Sequence, residues 1–288
     1  MLRARSTSAA PTFFKAFTHA ATGRIYLDGA LKANNPVRLA EHERKLIWPC
    51  SGEFPDLHIS IGTGTIRGVI ATVAEGRVGG LLRQATGGVG MRVQIAKDAV
   101  RDIMNSETVW HNFCQPLTER DKSRYRRLNV PFTEEVPAMH DVSSLLVLQE
   151  TAHTYCSTQE VAMQLKSIAR QLVASTFYFD FESWTRPGQK WDCTGYLRNR
   201  MLPTHAHVES VENLISKRPV FRVYEDGVEN SVSRTTVSPN DNLRRGIWSQ
   251  KMLFSVSDRR RRLDIKIMLQ GVEEEYSISG FPRTLESS

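Results

Sequence analysis

The chain is sparing with cysteine. Its four cysteines, Cys50, Cys114, Cys156 and Cys193, stand far apart, with no Cys-x-x-Cys spacing and no histidine pattern that would close around zinc. A disulfide-stapled scaffold is therefore disfavoured, and a reduced intracellular compartment is the simpler reading. His205 and His207 can place two imidazoles on one strand face, but no third ligand lies nearby in sequence, so neither a metal nor a cofactor is expected. Also missing are an apolar run long enough to span a bilayer and a charged segment followed by an apolar signal core. The expected location is cytoplasmic or peripheral to a membrane. Glycine-rich stretches occur at Gly62-Thr63-Gly64-Thr65 and Gly87-Gly88-Val89-Gly90, yet neither carries a Walker lysine or the full Gly-x-Gly-x-x-Gly pattern. They read as turns rather than nucleotide cradles.

What is present is enough for a folded protein. With 288 residues and 40% hydrophobic content the chain can bury a sizeable core in one or two domains. A formal net charge of +7 favours anionic partners, phospholipid headgroups or nucleic acid, without choosing between them.

The most informative stretch is Tyr26-Leu27-Asp28-Gly29-Ala30-Leu31-Lys32-Ala33-Asn34-Asn35-Pro36. Ile25, Tyr26 and Leu27 favour a largely buried strand, and Gly29 permits a turn directly after it. Asp28 then falls at a strand's carboxyl edge, where open α/β sheets place their sites. Asn35 is a good N-cap and Pro36 a good first helical residue. The spacing predicts a helix to about Ile47, with Val37, Ala40, Arg44 and Ile47 on one face and Glu41 within reach of Lys45. The chain returns through Ile59-Ser60-Ile61-Gly62-Thr63-Gly64, so a strand, helix and parallel strand are expected.

Those segments, in that order, resemble the patatin-like phospholipases. The likeness rests on Asp28-Gly29-Ala30, Asn34-Asn35-Pro36 and Ile59 to Gly64, with Ser6 to Phe14 upstream and Arg127-Leu128-Asn129-Val130-Pro131-Phe132 and Asp141-Val142 downstream, the last two similar to fungal members. It spans roughly the first two-thirds of the chain. The resemblance implies a lipid acyl hydrolase working through a serine–aspartate dyad, with Asp28 as the base that accepts the serine proton. An aspartate at its free pKa of about 3.9 is a weak base at neutral pH, so such a site must raise it by burial or by coupling to the nucleophile. The family's glycine-rich oxyanion loop and Gly-x-Ser-x-Gly elbow, which precede the aspartate motif, have no counterpart in this sequence. The sequence start, already inside a family segment, implies a truncated gene model, a split product or a degenerated copy. The alternative is a non-catalytic, basic module that binds a membrane surface or a protein. A lipid or phospholipid is the expected partner, an anionic membrane surface a further one, and nucleic acid is disfavoured.

Farther along, Phe13, Phe14 and Phe17 read as a core-facing aromatic cluster, and residues 92–113 as an amphipathic helix. Residues 115–141 read as loop, with Arg120, Lys122, Arg124, Arg126 and Arg127 around Tyr125, a cluster that can grip phosphates, lie at a lipid interface or simply face water. Asp141 reads as an N-cap for helices over 144–175, broken near Cys156. Beyond Phe177 aromatic residues alternate, and from Pro219 short alternating runs are separated by turns, the pattern of an antiparallel β module. Arg259 to Arg262 fall at a turn between two of its strands. The expected fold is α/β: a partial parallel-sheet core with packed helices, followed by a small antiparallel β module. The expected segments are 1–118 for the part of the catalytic domain, 119–200 for a helical extension and 201–288 for the β-rich module.

Overall fold

The computed structural model describes residues 15–29, 33–49, 51–66, 106–133, 141–202, 208–214, 219–230, 233–237, 248–271 and 273–284, together with Arg5, Ala9, Pro137 and Thr204. The fold is mixed α/β, with both parallel and antiparallel pairing. The chain divides into two compact units, Met1–Pro49 with Ile59–His153, and Cys50–His58 with Thr154–Ser288.

In the first unit, β1 (Phe17–Thr18) and β2 (Ile25–Tyr26) form an antiparallel hairpin with Phe17 opposite Tyr26. Gly23 turns it with φ +65, its N–H donating to the His19 carbonyl at 2.8 Å. Helix α1 (Val37–Ile47) follows. Strands β3 (His58–Ile61) and β4 (Thr65–Ile66) lead to α2 (Ser106–Cys114) and the short α3 (Glu119–Lys122). Then come β5 (Tyr125–Leu128) and β6 (Pro131–Phe132). Strand β3 pairs with β5, and β4 runs parallel to β6. Between them the Gly62 N–H donates to the Leu128 carbonyl at 2.8 Å and the Thr65 N–H to that of Val130 at 2.9 Å. The bonds climb both segments in the same direction, as a parallel ladder requires. Asp141 caps the turn before α4 (Leu145–Ser157), with the Ser143 and Ser144 hydroxyls holding its carboxyl below the usual range.

Two expectations change here. Strand β2 takes β1 as its described partner and β3 takes β5, so the expected parallel crossover from β2 through α1 to β3 does not form among the described residues. Closing a short hairpin costs less chain entropy than bringing distant strands together. Ile25 and Leu27, expected to be largely buried, are 69% and 51% exposed. On α1 the inward face is Val37, Glu41 and Arg44, while Ala40 and Ile47 are exposed. Glu41 bonds Arg44 at 2.7 Å and lies 3.8 Å from Lys45.

The second unit is built around a β-sandwich. Helix α5 (Gln159–Ser175) starts after a break at Thr158 and leads into β7 (Phe177–Thr185) and β8 (Trp191–Asn199). Helix α6 (Val208–Leu214), β9 (Val220–Glu225), β10 (Val228–Glu229) and β11 (Arg234–Val237) follow. Strands β12 (Ser249–Val256), β13 (Leu263–Met268) and β14 (Glu275–Ser277) complete it. One sheet runs β11-β12-β8-β7 and the other β10-β9-β13-β14, with every described pair antiparallel. Alternation sets the inner faces: Phe177 and Phe179, Cys193 and Leu197, Met252, Phe254 and Val256, and Leu263, Ile265 and Ile267 are all buried in one core. Phe177 meets Phe221 of the other sheet edge to face at 5.6 Å. Residues 51–58 are tied in by Asp56, whose carbonyl accepts from the Gln171 amide at 3.0 Å and whose carboxylate accepts the Gly280 N–H at 2.9 Å.

The sandwich thus begins at Phe177, and residues 177–199, expected to belong to a helical extension, form the hairpin on which β12 pairs. The three-segment division read from sequence differs from the two units of the structure for that reason. Residues 115–133, read as loop, hold α3, β5 and β6. Of the helix expected over 92–113, residues 106–113 lie among the described residues and are helical, and the element extends to Cys114. Phe13, Phe14 and the Gly87–Gly90 stretch lie outside the described residues, as do His205, His207 and Cys50.

Truncating Phe177 should destabilise the second unit by about 3–5 kcal/mol, read as a lower urea midpoint for Phe177→Ala. Burial pushes the Cys193 thiol from its ordinary 9.0 up to about 12. Its raised value contributes stability that is complete below pH 9.0 and is lost as the pH climbs through about 12. In the native chain iodoacetamide should modify exposed Cys156 and spare Cys193, as peptide mass analysis would show.

Candidate functional site

Asp28 lies two residues beyond β2 and is half-buried. Its backbone N–H donates to the carbonyl of buried Ala9 at 2.9 Å, which binds the aspartate to the Ser6–Phe14 stretch. Gly29 accepts the Ala33 N–H at 2.8 Å, closing the turn that carries the chain from Asp28 toward α1. Ala30, the third residue of the motif, lies outside the described residues. The carboxylate therefore stands at the end of an apolar strand on a bonded turn, accessible to a reacting group.

The other motif segments meet at one place. Asn35 is buried, and its side chain works in both directions: Oδ1 accepts the Val37 N–H at 3.2 Å and the amide nitrogen donates to the Ser106 carbonyl at 3.0 Å. So Asn35 does cap α1, one residue upstream of where the helix is assigned, and it also fixes α1 to the start of α2. There the next residue, Glu107, takes Arg127 in an ion pair at 2.6 Å, with the Arg127 Nε at 2.9 Å and the Asn129 amide at 2.7 Å from the same oxygen. Arg127 also donates to the hydroxyls of Ser60 and Ser106, each at 2.9 Å. Asn129 Oδ1 in turn accepts the Gly64 N–H at 2.7 Å.

This network shapes the Gly62-Thr63-Gly64 turn. A Cβ at Gly62 would lie 2.1 Å from Asn129 Oδ1, and one at Gly64, where φ is +120, would lie 2.2 Å from the Phe132 ring. Glycine is required at both positions, at the first by space and at the second by space and backbone alike. The turn is a structural close approach, not a phosphate cradle.

The basic cluster around Tyr125 resolves differently from a phosphate grip. Arg127 is paired with Glu107, Lys122 with Glu119 at 2.7 Å, and Arg124 is buried. Tyr125 is buried too, packed edge to face on Phe113 at 5.2 Å, so its ring is not offered to a base. Burial, with Glu41 adding, pushes its hydroxyl well above the usual range and keeps it neutral. Sequence reading singled out Arg127 and Asn129 but passed over Ser106 and Glu107. The available signal was an acidic residue in a predicted helix, which becomes meaningful only when a buried arginine faces it. Among the described residues no group of acidic, histidine and cysteine side chains is arranged to hold a metal.

No protein-family model and no curated protein matches this chain. No helix among the described residues is long and apolar enough to cross a membrane.

Removing one partner of the buried pair strands the other's charge, so Arg127→Ala should cost about 3–5 kcal/mol. The check is chemical denaturation of the single variant beside a Glu107→Gln/Arg127→Met double variant, which should recover most of the loss.

Proposed function

We propose that this chain carries the aspartate-bearing part of a patatin-like lipid acyl hydrolase. The observation that supports the reading is the convergence of its motifs. Asn35, Ser60, Gly64, Arg127 and Asn129, drawn from three separated segments, are joined through the first turn of α2. The remaining pair, Ala9 and Asp28, is joined backbone to backbone. Unrelated tripeptides have no reason to assemble in this way. In this reading Asp28 takes the proton from a serine hydroxyl as the oxygen attacks an ester carbonyl, and returns it to the departing alkoxide. The serine and the oxyanion donors come from polypeptide outside these 288 residues. The substrate class is a lipid or phospholipid ester, and the place of action is the cytoplasmic or peripheral face of a membrane.

A second reading, a non-catalytic module on an anionic membrane, is favoured by a basic and aromatic surface on the sandwich unit together with the net charge of +7.

The test is to extend the chain with the coding sequence upstream of Met1 and assay hydrolysis of a short-chain ester. An in-frame Gly-x-Ser-x-Gly elbow and activity that falls about 10²–10⁴-fold in Asp28→Asn are the expected results. Activity indifferent to Asp28→Asn would remove the aspartate from the chemistry and the reading with it.

A further inference from the structure

At one end of the sandwich two segments meet around a stacked guanidinium. The β7–β8 hairpin turns through Arg186-Pro187-Gly188-Gln189-Lys190, flanked by Trp184 and Trp191. The β12–β13 connection holds Arg259 to Arg262. The Arg259 guanidinium carbon lies 5.5 Å from the Trp184 ring centre and 5.2 Å from that of Trp191. Arg186 also stacks on Trp191, at 5.2 Å. Trp184 packs in addition on Phe181 at 5.6 Å. The buried Arg259 Nε has no hydrogen-bond acceptor among the described residues, so the indole faces provide its compensation.

The arginine run is held in place rather than left to spread. The Arg260 N–H donates to the Asp258 carboxylate at 3.0 Å, and the Arg262 N–H to that of Asp226 at 3.0 Å. Arg261 lies 3.6 Å from Asp226 and 3.8 Å from Glu225. Arg186, Lys190 and Arg260 are exposed, and the cations of the two segments outnumber the carboxylates facing them. Like charges fixed side by side repel, and a negatively charged surface relieves that repulsion.

We propose that this end of the sandwich docks on an anionic phospholipid bilayer, with Arg186, Lys190 and Arg260 against the headgroups and the two indoles at headgroup depth. The two tryptophans already hold arginine against their rings, so a single-stranded nucleic acid would have to displace it before its bases could stack. A lipid headgroup layer needs no such displacement. It accepts guanidinium and ammonium groups through its anions and indoles through their mixed polar and apolar character. The proposal gives the second reading above a place on the molecule. Its test reads binding and not hydrolysis, so it stands or falls apart from the role of Asp28.

The full chain is floated with phosphatidylcholine vesicles containing or lacking phosphatidylserine, at low and high salt. Binding only to the phosphatidylserine vesicles, suppressed by salt, is expected. Lys190→Gln/Arg260→Gln, which changes only exposed side chains, should weaken partitioning about fivefold per charge removed with an unchanged melting curve. Brominated lipid should quench tryptophan emission, and less so in Trp191→Phe. Absence of binding at low salt, equal binding to both vesicle types, undiminished binding by the double variant or equal quenching in Trp191→Phe would each overturn the proposal. So would capture of a single-stranded oligonucleotide without vesicle binding.

Discussion

The first unit depends on the pairing of Glu107 with Arg127. Taking a carboxylate and a guanidinium out of water is costly, and the cost is offset only when the geometry is close and the remaining hydrogen-bonding groups are satisfied. Here the arginine serves Glu107, Ser60 and Ser106 together, and Asn129 reaches the same carboxylate. Glu107 also sits in the first turn of α2, where unpaired backbone N–H groups favour negative charge. Such a pair contributes less to net stability than to uniqueness. A shift of β5 by one residue against β3 would carry Arg127 to the opposite face and leave the carboxylate buried alone.

From that pair the constraint passes outward. Asn129 holds Gly64, and the turn it closes has no room for a side chain at Gly62 or Gly64. Asn35 holds α1 at the start of α2. Three segments far apart in the chain therefore share one electrostatic anchor. The Asp28 turn lies outside that anchor: its printed backbone bond goes to Ala9, and Ile25 and Leu27 beside it stay exposed. A carboxylate on a lightly held turn can meet a reacting group brought to it.

The second unit follows different physics. Its interior is a continuous apolar core between two antiparallel sheets, assembled by alternation along each strand. Polar design is concentrated at the edge where the Trp184 and Trp191 indoles hold Arg259. One unit thus uses a buried ion pair to set register, while the other uses period-two packing and leaves its charge at a loop end.

Much of this was legible in the linear chain. The cap at Asn35, the helix through Val37 and Ile47, the helix break beside Cys156 and the alternating strands after Pro219 all follow from short-range rules, because caps, helical periodicity and pleating act over a few residues. The aromatic alternation at Phe177 was visible too, but not its membership in the sandwich, since its partner strand β12 begins more than fifty residues later. Partner choice was the part that sequence left open. Apolar Ile25 and Leu27 read as buried strand because hydrophobicity records what a residue favours, and their exposure reflects which strand pairs with β2. Arg127 read as one cation among several until Glu107 stood opposite it. Local propensity is written residue by residue, whereas burial and charge pairing belong to distant groups that only the tertiary structure brings within a few ångströms.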